Sequence, residues 1–278
     1  MITNSEILEY INEDLPFMDL TTSLQSYEKT KARLELFTRV DCVASCTEIS
    51  AKIAEILDCE VKFVKSSRSF AKEGDMLLAY EGEYANIHKA WKLTQVLLEY
   101  SCAIATYTNK MLNLAKSVNQ KCQILGTRKT FPFAKKFCVQ ALLDGGGEVH
   151  RLNLSDSILF FDKHRIVYKN SDEFFADLRA IKHKVPEKKV VVEALNLDDA
   201  IKLLEIADVI QLDKMSLEDT KKIVELRDKN YKNVKIISAG GINVNNVKDY
   251  ASCGIDAVVT SAMYLSGIGN IKAKISKI

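Results

Sequence analysis

The sequence is poor in the features that mark specialised classes of protein. It has only three prolines and one tryptophan among 278 residues, no CxxC motif, and a net charge of only +2. So small a net charge gives no overall field that would draw the chain to nucleic acid or to a membrane. The composition is otherwise that of a globular protein, with 47% hydrophobic and 27% charged residues, and the length suits one large domain or two small ones.

Long apolar runs are also missing. The segment WKLTQVLLEYSCAIATYT is interrupted by Lys92 and Glu99, so no membrane span is predicted. The first residues, MITNSEILEYINEDL, are acidic and amphipathic, unlike a signal peptide. Seven cysteines form an odd set without zinc spacing, which favours buried, reduced thiols over a metal cluster. These absences together predict a cytoplasmic protein.

The first hundred residues have a mixed pattern. KARLELFTRVDCVAS (31–45) and EVKFVKS (60–66) are predicted strands. TEISAKIAEILD (47–58) has apolar residues at helical spacing, with Thr47 as the predicted N-cap. Residues 86–118 are predicted to form two helices.

From Cys122 onward, short apolar strands alternate with amphipathic helices. Two of these helices have predicted N-caps, at Asn196 and Ser216. Repeated strand–helix units predict a parallel sheet, either open or closed into a barrel.

Polar residues and glycines follow the predicted strands of this second half. They stand at carboxyl ends: Arg128 and Lys129, Glu193, Asp213, Gly240 with Gly241, and Ser261. The carboxyl ends of parallel strands share one face, where barrels and open sheets place their active sites. The sequence therefore predicts that these residues converge on one mouth.

The residue types at this mouth suit the binding of metal ions, hydroxyl groups and phosphate. Glu193 and Asp213 can hold Mg²⁺ or ribose hydroxyls, or offset a developing cation, although surface or capping roles stay open. SAGGI (238–242) is either a tight turn or a phosphate-binding loop, and its late position in the chain favours phosphate. GGG at 145–147 is more simply a helix C-cap.

The stretch GTRKTFPFAKK (126–136) concentrates positive charge. Together with His150 and Arg151, the Arg128–Lys129 pair would form a cation cluster for pyrophosphate or a carboxylate. A structural role for His150 stays open, and His164 is undecided. Solvent-exposed or structural roles are predicted for the other candidates: Lys135, Lys136, His88 and His183.

Seven motifs resemble those of the quinolinate phosphoribosyltransferases, in the same order along nearly the whole chain. They are EDLPFMDLTT (13–22), SCAIAT (101–106), TRKTFP (127–132), GGGEVHRLNLSDSILFFDKH (145–164), VEALN (192–196), IQLD (210–213) and SAGGI (238–242). WKLTQVLLEYSCAIAT, TRKTFP and VVTSAMY are more similar to the ModD-type pyrophosphorylases, a branch of that family associated with molybdenum transport genes.

The resemblance implies an α/β fold with an N-terminal α/β sandwich-like domain (1–107) and a C-terminal α/β barrel (108–265) of the type II phosphoribosyltransferase kind. Residues 266–278 are candidates to return to the first domain. It also implies a homodimer in which each site is completed by the partner's N-terminal domain. The implied reaction moves phosphoribosyl from phosphoribosyl pyrophosphate to a ring nitrogen, with Mg²⁺ assisting pyrophosphate departure.

By matching position, the resemblance assigns roles to individual residues. Cation-bearing side chains bind the anionic groups of the substrates: Arg128, Lys129, His150 and Arg151. Lys129, Glu193 and Asp213 are the implied catalytic residues, and the two carboxylates face the ribose and the metal. Ser238, Gly240, Gly241 and Ser261 are the remaining implied substrate-binding positions.

The chain also departs from the quinolinate enzymes. Tyr100 stands where they have an arginine, Phe161 where they have a lysine, and Phe133 where a glycine is common. Two lost charge-assisted hydrogen bonds would cost roughly 3–6 kcal/mol in binding a dicarboxylic acid. We therefore expect Tyr100 and Phe161 to line a site for a different, unidentified acceptor. The alternatives are a true quinolinate phosphoribosyltransferase and a non-catalytic phosphosugar or oxyanion sensor.

Overall fold

The structure is a computed structural model that describes residues 2–278. Its α-helices are α1 (Asn4–Asp14), α2 (Leu20–Ser23), α3 (Thr47–Ile56), α4 (Tyr84–Lys116), α5 (Lys135–Asp144), α6 (Ser171–Lys184), α7 (Leu197–Leu203), α8 (Leu217–Asn230) and α9 (Val247–Ser252). Its strands are β1 (Lys31–Thr38), β2 (Cys42–Val43), β3 (Glu60–Val64), β4 (Phe70–Ala71), β5 (Met76–Glu83), β6 (Gln123–Gly126), β7 (Glu148–Val149), β8 (Ile158–Phe160), β9 (Val190–Ala194), β10 (Val209–Asp213), β11 (Lys235–Ala239), β12 (Ala257–Thr260) and β13 (Ile271–Lys277). Two 3₁₀ turns cover Asp162–Val167 and Ala262–Leu265.

The chain divides into two compact units. The first comprises the residues up to Asn109, together with Thr130–Gly146 and Met263–Ile278. The second comprises Lys110–Lys129 and Gly147–Ala262. Across residues 2–278, no helix combines the length and apolar character that crossing a membrane would require.

The first unit is built on an antiparallel sheet of four strands in the order β13-β1-β5-β3. Alternate residues of β1 are buried, and they join residues of β5 and α4 in one core that includes Leu34, Leu36, Leu78, Tyr80 and Leu98. This alternation is what one covered sheet face requires.

Three predictions for the first half are wrong, and two of them concern the bounds of elements. Residues 84–116 form one helix rather than two, because no glycine or proline interrupts them. The predicted strand 31–45 ends at Thr38 and resumes only at Cys42–Val43.

Thr47 is the first residue of α3 rather than its N-cap. The N-cap is Cys46, which has a left-handed backbone (φ 56°) and no capping side chain. The buried carboxylate of Asp144 accepts hydrogen bonds from the Cys46 amide (3.4 Å) and the Ser45 hydroxyl (2.8 Å). A distant carboxylate thus fixes the entry to the helix, which local sequence could not indicate.

The second unit contains a parallel sheet of seven strands in the order β7-β6-β12-β11-β10-β9-β8. Helices separate the later strands along the chain, and the Asn196 and Ser216 side chains cap α7 and α8 as predicted. The strand–helix repeat explains the parallel arrangement. An antiparallel-sheet unit plus a parallel half-barrel sheet confirms the α/β fold class predicted from the sequence.

Candidate active site

Two carboxylates lie on the same face of the parallel sheet. Gln211 pairs in register with Glu193, and Asp213 pairs with Ala239. Because side chains alternate between faces, Glu193, Gln211 and Asp213 share the face whose lower part is an apolar cluster that includes Val191, Val209, Ile237 and Ala239. The carboxylates therefore cap an apolar interior at the carboxyl ends of the strands.

Hydrogen bonds fix the position of Glu193. The side-chain amide of Gln211 donates to Glu193 Oε2 at 2.7 Å, and Arg165 Nη2 donates to the Glu193 carbonyl at 2.9 Å. Arg165 is held in turn by a buried ion pair with Asp199 at 2.9 Å. Burial raises the pKa of Glu193, the Gln211 hydrogen bond opposes this, and the Asp213 charge raises it further. The pKa therefore lies above its usual value.

Sequence reasoning missed both Gln211 and Arg165. Gln211 is buried, and its Oε1 has no hydrogen-bond partner within residues 2–278. A polar residue in the apolar strand VIQLD was the available signal. Nothing comparable marks Arg165, whose partner Asp199 lies 34 residues away.

Three cations of the second unit have no anionic partner. No ion pair or side-chain hydrogen bond within residues 2–278 involves Arg128, Lys129 or Arg151. Arg151 is nevertheless only 9% exposed, and burial followed by the nearby Arg128 charge lowers its pKa. A buried guanidinium normally has a carboxylate or phosphate partner, so this arrangement is suited to binding an anion.

His150 is not part of the positive charge, contrary to the predicted cation cluster. Burial, reinforced by the Arg151 charge, lowers its pKa to about 4. Its backbone amide donates to the Gly126 carbonyl at 3.0 Å, which brings it to the end of β6. At neutral pH, His150 is a neutral imidazole with one donor and one acceptor.

Phe161 lies beside this group. Its ring is 5.8 Å from Arg151 Cζ and stacks on His164, with 5.6 Å between ring centroids and 18° between planes. His164 Nδ1 accepts a hydrogen bond from the Phe161 amide at 2.9 Å. Phe161 is half-buried against the apolar cluster. His164, undecided from sequence, therefore orients Phe161.

The glycine loop after β11 presents unused backbone donors. Gly240 and Gly241 both have left-handed φ angles, 89° and 79°. Within residues 2–278, the N–H groups of Gly240, Gly241 and Ile242 have no hydrogen-bond acceptor, although Ile242 is buried. Consecutive amides in such a turn form an anion-binding concavity. The loop is braced by Asn243 and Asn246, whose side chains donate to the Gly241 carbonyl at 3.2 and 3.3 Å.

Two predicted substrate-binding serines differ in position. Ser238 pairs in register with Leu212 and Val258, so its side chain lies on the opposite face from Glu193 and is fully buried. The structure does not bring it together with the carboxylates. Ser261 follows β12 directly and is half-buried.

Tyr100 belongs to the first unit. It is 44% exposed on α4, and its ring meets Phe131 edge-on, with centroids 6.2 Å apart. Both rings line a groove of about 450 Å³ with Tyr10, Phe133 and Phe137. Lys136 at the same groove is exposed and pairs with Glu6. Phe133 has a left-handed φ of 64°, at the position where the resembled family favours glycine.

Few residues could hold a metal. Within residues 2–278, no group of three or more His, Cys, Asp and Glu side chains is suitably arranged. Glu193 and Asp213 are two carboxylates on one face of the sheet, and the Asp213 charge contributes to the raised pKa of Glu193. Two carboxylates fit an ion such as Mg²⁺ only if a bound substrate or water completes its coordination.

Two family models together match most of the chain. "Quinolinate phosphoribosyl transferase, N-terminal domain" matches residues 19–102, and the C-terminal domain of the same family matches residues 104–267. The protein of Pasteurella multocida named "Putative pyrophosphorylase ModD" is 33% identical over 276 residues, which cover 99% of this chain and 98% of that protein. The "Probable nicotinate-nucleotide pyrophosphorylase [carboxylating]" of Methanothermobacter thermautotrophicus is 31% identical, with 91% of each chain covered.

A solved structure shows the same fold. The nicotinate-nucleotide pyrophosphorylase from Francisella tularensis superposes with a TM-score of 0.89 at 22% identity, covering 99% of this chain and 98% of that one.

Proposed function

The chain belongs to the quinolinate phosphoribosyl transferase family, and from that premise we propose that it transfers a phosphoribosyl group from phosphoribosyl pyrophosphate to a ring nitrogen of a heterocyclic acceptor. Membership of this family confirms the resemblance that the sequence motifs showed. The similarity to proteins named putative pyrophosphorylase ModD confirms the resemblance to the ModD-type branch. The family and its structural neighbours are phosphoribosyltransferases, a class of pentosyltransferase. In the proposed reaction the bond from C1′ to the pyrophosphate oxygen breaks, and a bond from C1′ to nitrogen forms.

The observation that carries this proposal is the separation of unpaired charges at one end of the sheet. Glu193 and Asp213 share one face and make no ion pair, while Arg128, Lys129 and Arg151 also lack partners within residues 2–278. As C1′ loses pyrophosphate it becomes positively charged, and the departing group carries negative charge. Carboxylates stabilise the first and cations the second, so the charges of this site match those of the transition state.

We assign the remaining roles by position. Arg128 and Arg151 bind anionic groups, and Lys129 offsets charge on the pyrophosphate. Neutral His150 donates one hydrogen bond to an anionic oxygen. Glu193 and Asp213 accept from ribose hydroxyls, and Gln211 and Arg165 keep Glu193 in place.

We propose Mg²⁺ as the metal of this site, held by Glu193 and Asp213. The fit rests on the donor set: two acidic oxygen ligands, one with its remaining oxygen fixed by Gln211. Mg²⁺ is commonly bound through one or two carboxylates plus substrate phosphates, which suits a site without a third protein ligand. When bound, the ion would neutralise charge on the pyrophosphate.

We propose that the acceptor is less anionic than quinolinate. Phe161 places an aromatic ring beside Arg151, where a stacked heterocycle with a single acidic group would find both partners. True quinolinate turnover is the alternative, favoured by the number of unpaired cations. Phe161→Lys decides between them: it should raise quinolinate affinity by about one to two decades, since one charge-assisted hydrogen bond is added.

We further propose a homodimer in which Tyr100 of one protomer reaches the partner's site. If so, mixing Tyr100→Glu protein with Lys129→Ala protein should restore activity, because mixed dimers contain one intact site. A cytoplasmic location is supported by seven unpaired cysteines and is tested by cell fractionation. A role linked to molybdenum transport rests on the ModD resemblance and is tested by growth of a deletion strain under molybdate limitation.

The direct test has two steps. Calorimetry with phosphoribosyl pyrophosphate and Mg²⁺ should show binding, and a panel of nitrogen heterocycles should include at least one that supports pyrophosphate release. Asp213→Asn should abolish release, whereas Asp198→Asn, at an exposed position of α7, should not. Absence of binding at millimolar ligand would defeat the proposal, and binding without release for any heterocycle would favour a sensor.

A further inference from the structure

We propose that Lys214 is a phosphate-binding residue that supplies the positive charge of the glycine loop. This rests on the proposed function and assigns a role to a residue that neither the motifs nor the charge cluster identified. Lys214 directly follows Asp213 at the end of β10. The ligand it would bind is the phosphate monoester of a phosphosugar.

The backbone of Lys214 is held in an unfavourable conformation. Its φ of 55° is left-handed, and no other non-glycine residue of the second unit has a positive φ. A lysine in this region costs free energy that glycine would not. Its amide donates to the Ala239 carbonyl at 2.9 Å, which ties the strained residue to the strand that precedes the glycine loop.

The Lys214 side chain lies against the loop itself. A Cβ added at Gly240 would be 2.5 Å from Lys214 Cγ and 2.7 Å from Asp213 Oδ1, whereas one added at Gly241 would meet no atom within 4 Å. Gly240 is therefore where the loop touches the aliphatic part of Lys214, and Gly241 opens onto empty space. The N–H groups of Gly241 and Ile242, which have no acceptor within residues 2–278, belong to the same loop.

The ammonium group of Lys214 has no competing partner. No carboxylate within residues 2–278 forms an ion pair with it, although Asp213 is its neighbour in sequence. Backbone amides and a lysine together are the usual components of a phosphate site. The strained backbone thus holds the Cγ of an unpaired lysine against the loop that carries the unused amide donors.

The strand order sets the distance between the glycine loop with Lys214 and the cations Arg128 and Lys129. The loop follows β11, Arg128 and Lys129 follow β6, and only β12 lies between those strands. Two strand spacings correspond to about 10 Å. A ligand with anionic groups at both ends of a ribose could span the two positions, so Lys214 would serve the monoester and Arg128 with Lys129 the pyrophosphate.

The test compares Lys214→Met, Lys214→Gly and the control Lys221→Met, at an exposed position of α8. Calorimetry would measure binding of phosphoribosyl pyrophosphate with Mg²⁺, and then displacement by ribose 5-phosphate and by inorganic pyrophosphate. Lys214→Met should weaken ribose 5-phosphate binding about 10- to 100-fold, the worth of one charge-assisted hydrogen bond, and leave inorganic pyrophosphate unchanged. Lys221→Met should match wild type for both ligands.

Lys214→Gly separates a binding role from a structural one. Glycine accepts the left-handed backbone without strain, so this variant should lose the same phosphate affinity while its melting temperature rises. A lysine kept for stability would give a lower melting temperature instead, and that result would overturn the assignment. So would unchanged ribose 5-phosphate affinity in Lys214→Met, or failure of ribose 5-phosphate to compete in wild type that binds phosphoribosyl pyrophosphate. Wild type that binds neither ligand would overturn the proposed function itself.

Discussion

Arg151→Met should stabilise the ligand-free protein and abolish its gain in stability on binding an anion. Arg151 is 9% exposed without any carboxylate partner, and an uncompensated buried charge is a liability of roughly 3–5 kcal/mol. The cation–π contact with Phe161 offsets about 1–2 kcal/mol of this cost, and partial access of Arg151 to solvent offsets more. We therefore expect a net gain of about 1–2 kcal/mol in the free energy of unfolding, which corresponds to a rise of roughly 2–8 °C in melting temperature.

The assay is thermal or urea unfolding with and without saturating phosphoribosyl pyrophosphate and Mg²⁺. At 100 times Kd a ligand adds about 2.7 kcal/mol to the wild type, so the order of stability should reverse when ligand is added. Arg165→Met is the matched control: its guanidinium is equally buried but pairs with Asp199, so this variant should lose about 3–5 kcal/mol. Destabilisation of ligand-free Arg151→Met to a similar extent would refute the reasoning.

Three further predictions concern local geometry. Gly240→Ala and Gly241→Ala should each lower the free energy of unfolding by about 1–2 kcal/mol, because alanine is strained in a left-handed backbone. Only Gly240→Ala should lose a further ~1–3 kcal/mol, because its Cβ would lie 2.5 Å from Lys214 Cγ. Equal losses for the two variants in urea unfolding would contradict this prediction. Burial lowers the pKa of His150 from 6.5 to about 4, so its contribution to the free energy of unfolding is fully present above pH 6.5 and is lost as pH falls through 4. The lost contribution is about 3 kcal/mol. The difference in unfolding free energy between pH 7 and pH 4 should therefore be smaller by this amount in His150→Gln. Asp144→Asn should cost about 2–4 kcal/mol, because its buried carboxylate accepts from Ser45, Cys46, Arg68 and Gln140; an unchanged denaturation midpoint would show that the amide satisfies the same donors.

Much of the second unit follows from short-range rules. Apolar strands separated by capped helices predict a parallel sheet, and carboxyl-end placement predicts a shared mouth. Side chains alternate between the two faces of a sheet, so the strand register determines which residues share a face. Glu193 and Asp213 lie on one face, whereas Ser238 lies on the other. Ser238 belongs to the SAGGI motif in the sequence, but only the register of β11 with its neighbours shows to which face of the sheet its side chain points.

Properties that depend on long-range contacts could not be predicted in this way. The start of α3 depends on Asp144, almost a hundred residues away. The neutral state of His150 comes from burial and from Arg151, which no spacing rule reports. Charge state and burial are tertiary properties, and the function of this mouth depends on both.

The mouth of the parallel sheet keeps its opposite charges unpaired. Within residues 2–278, Glu193 and Asp213 form no ion pair with Arg128, Lys129, Arg151 or Lys214. A protein selected only for stability would gain by pairing such groups or replacing them with apolar residues. Here the Glu193 carboxylate is instead held by neutral Gln211, and the nearby Arg165 is occupied by Asp199. The remaining charges match the ligand proposed above, which is anionic at its ends and becomes positive at its centre as pyrophosphate departs.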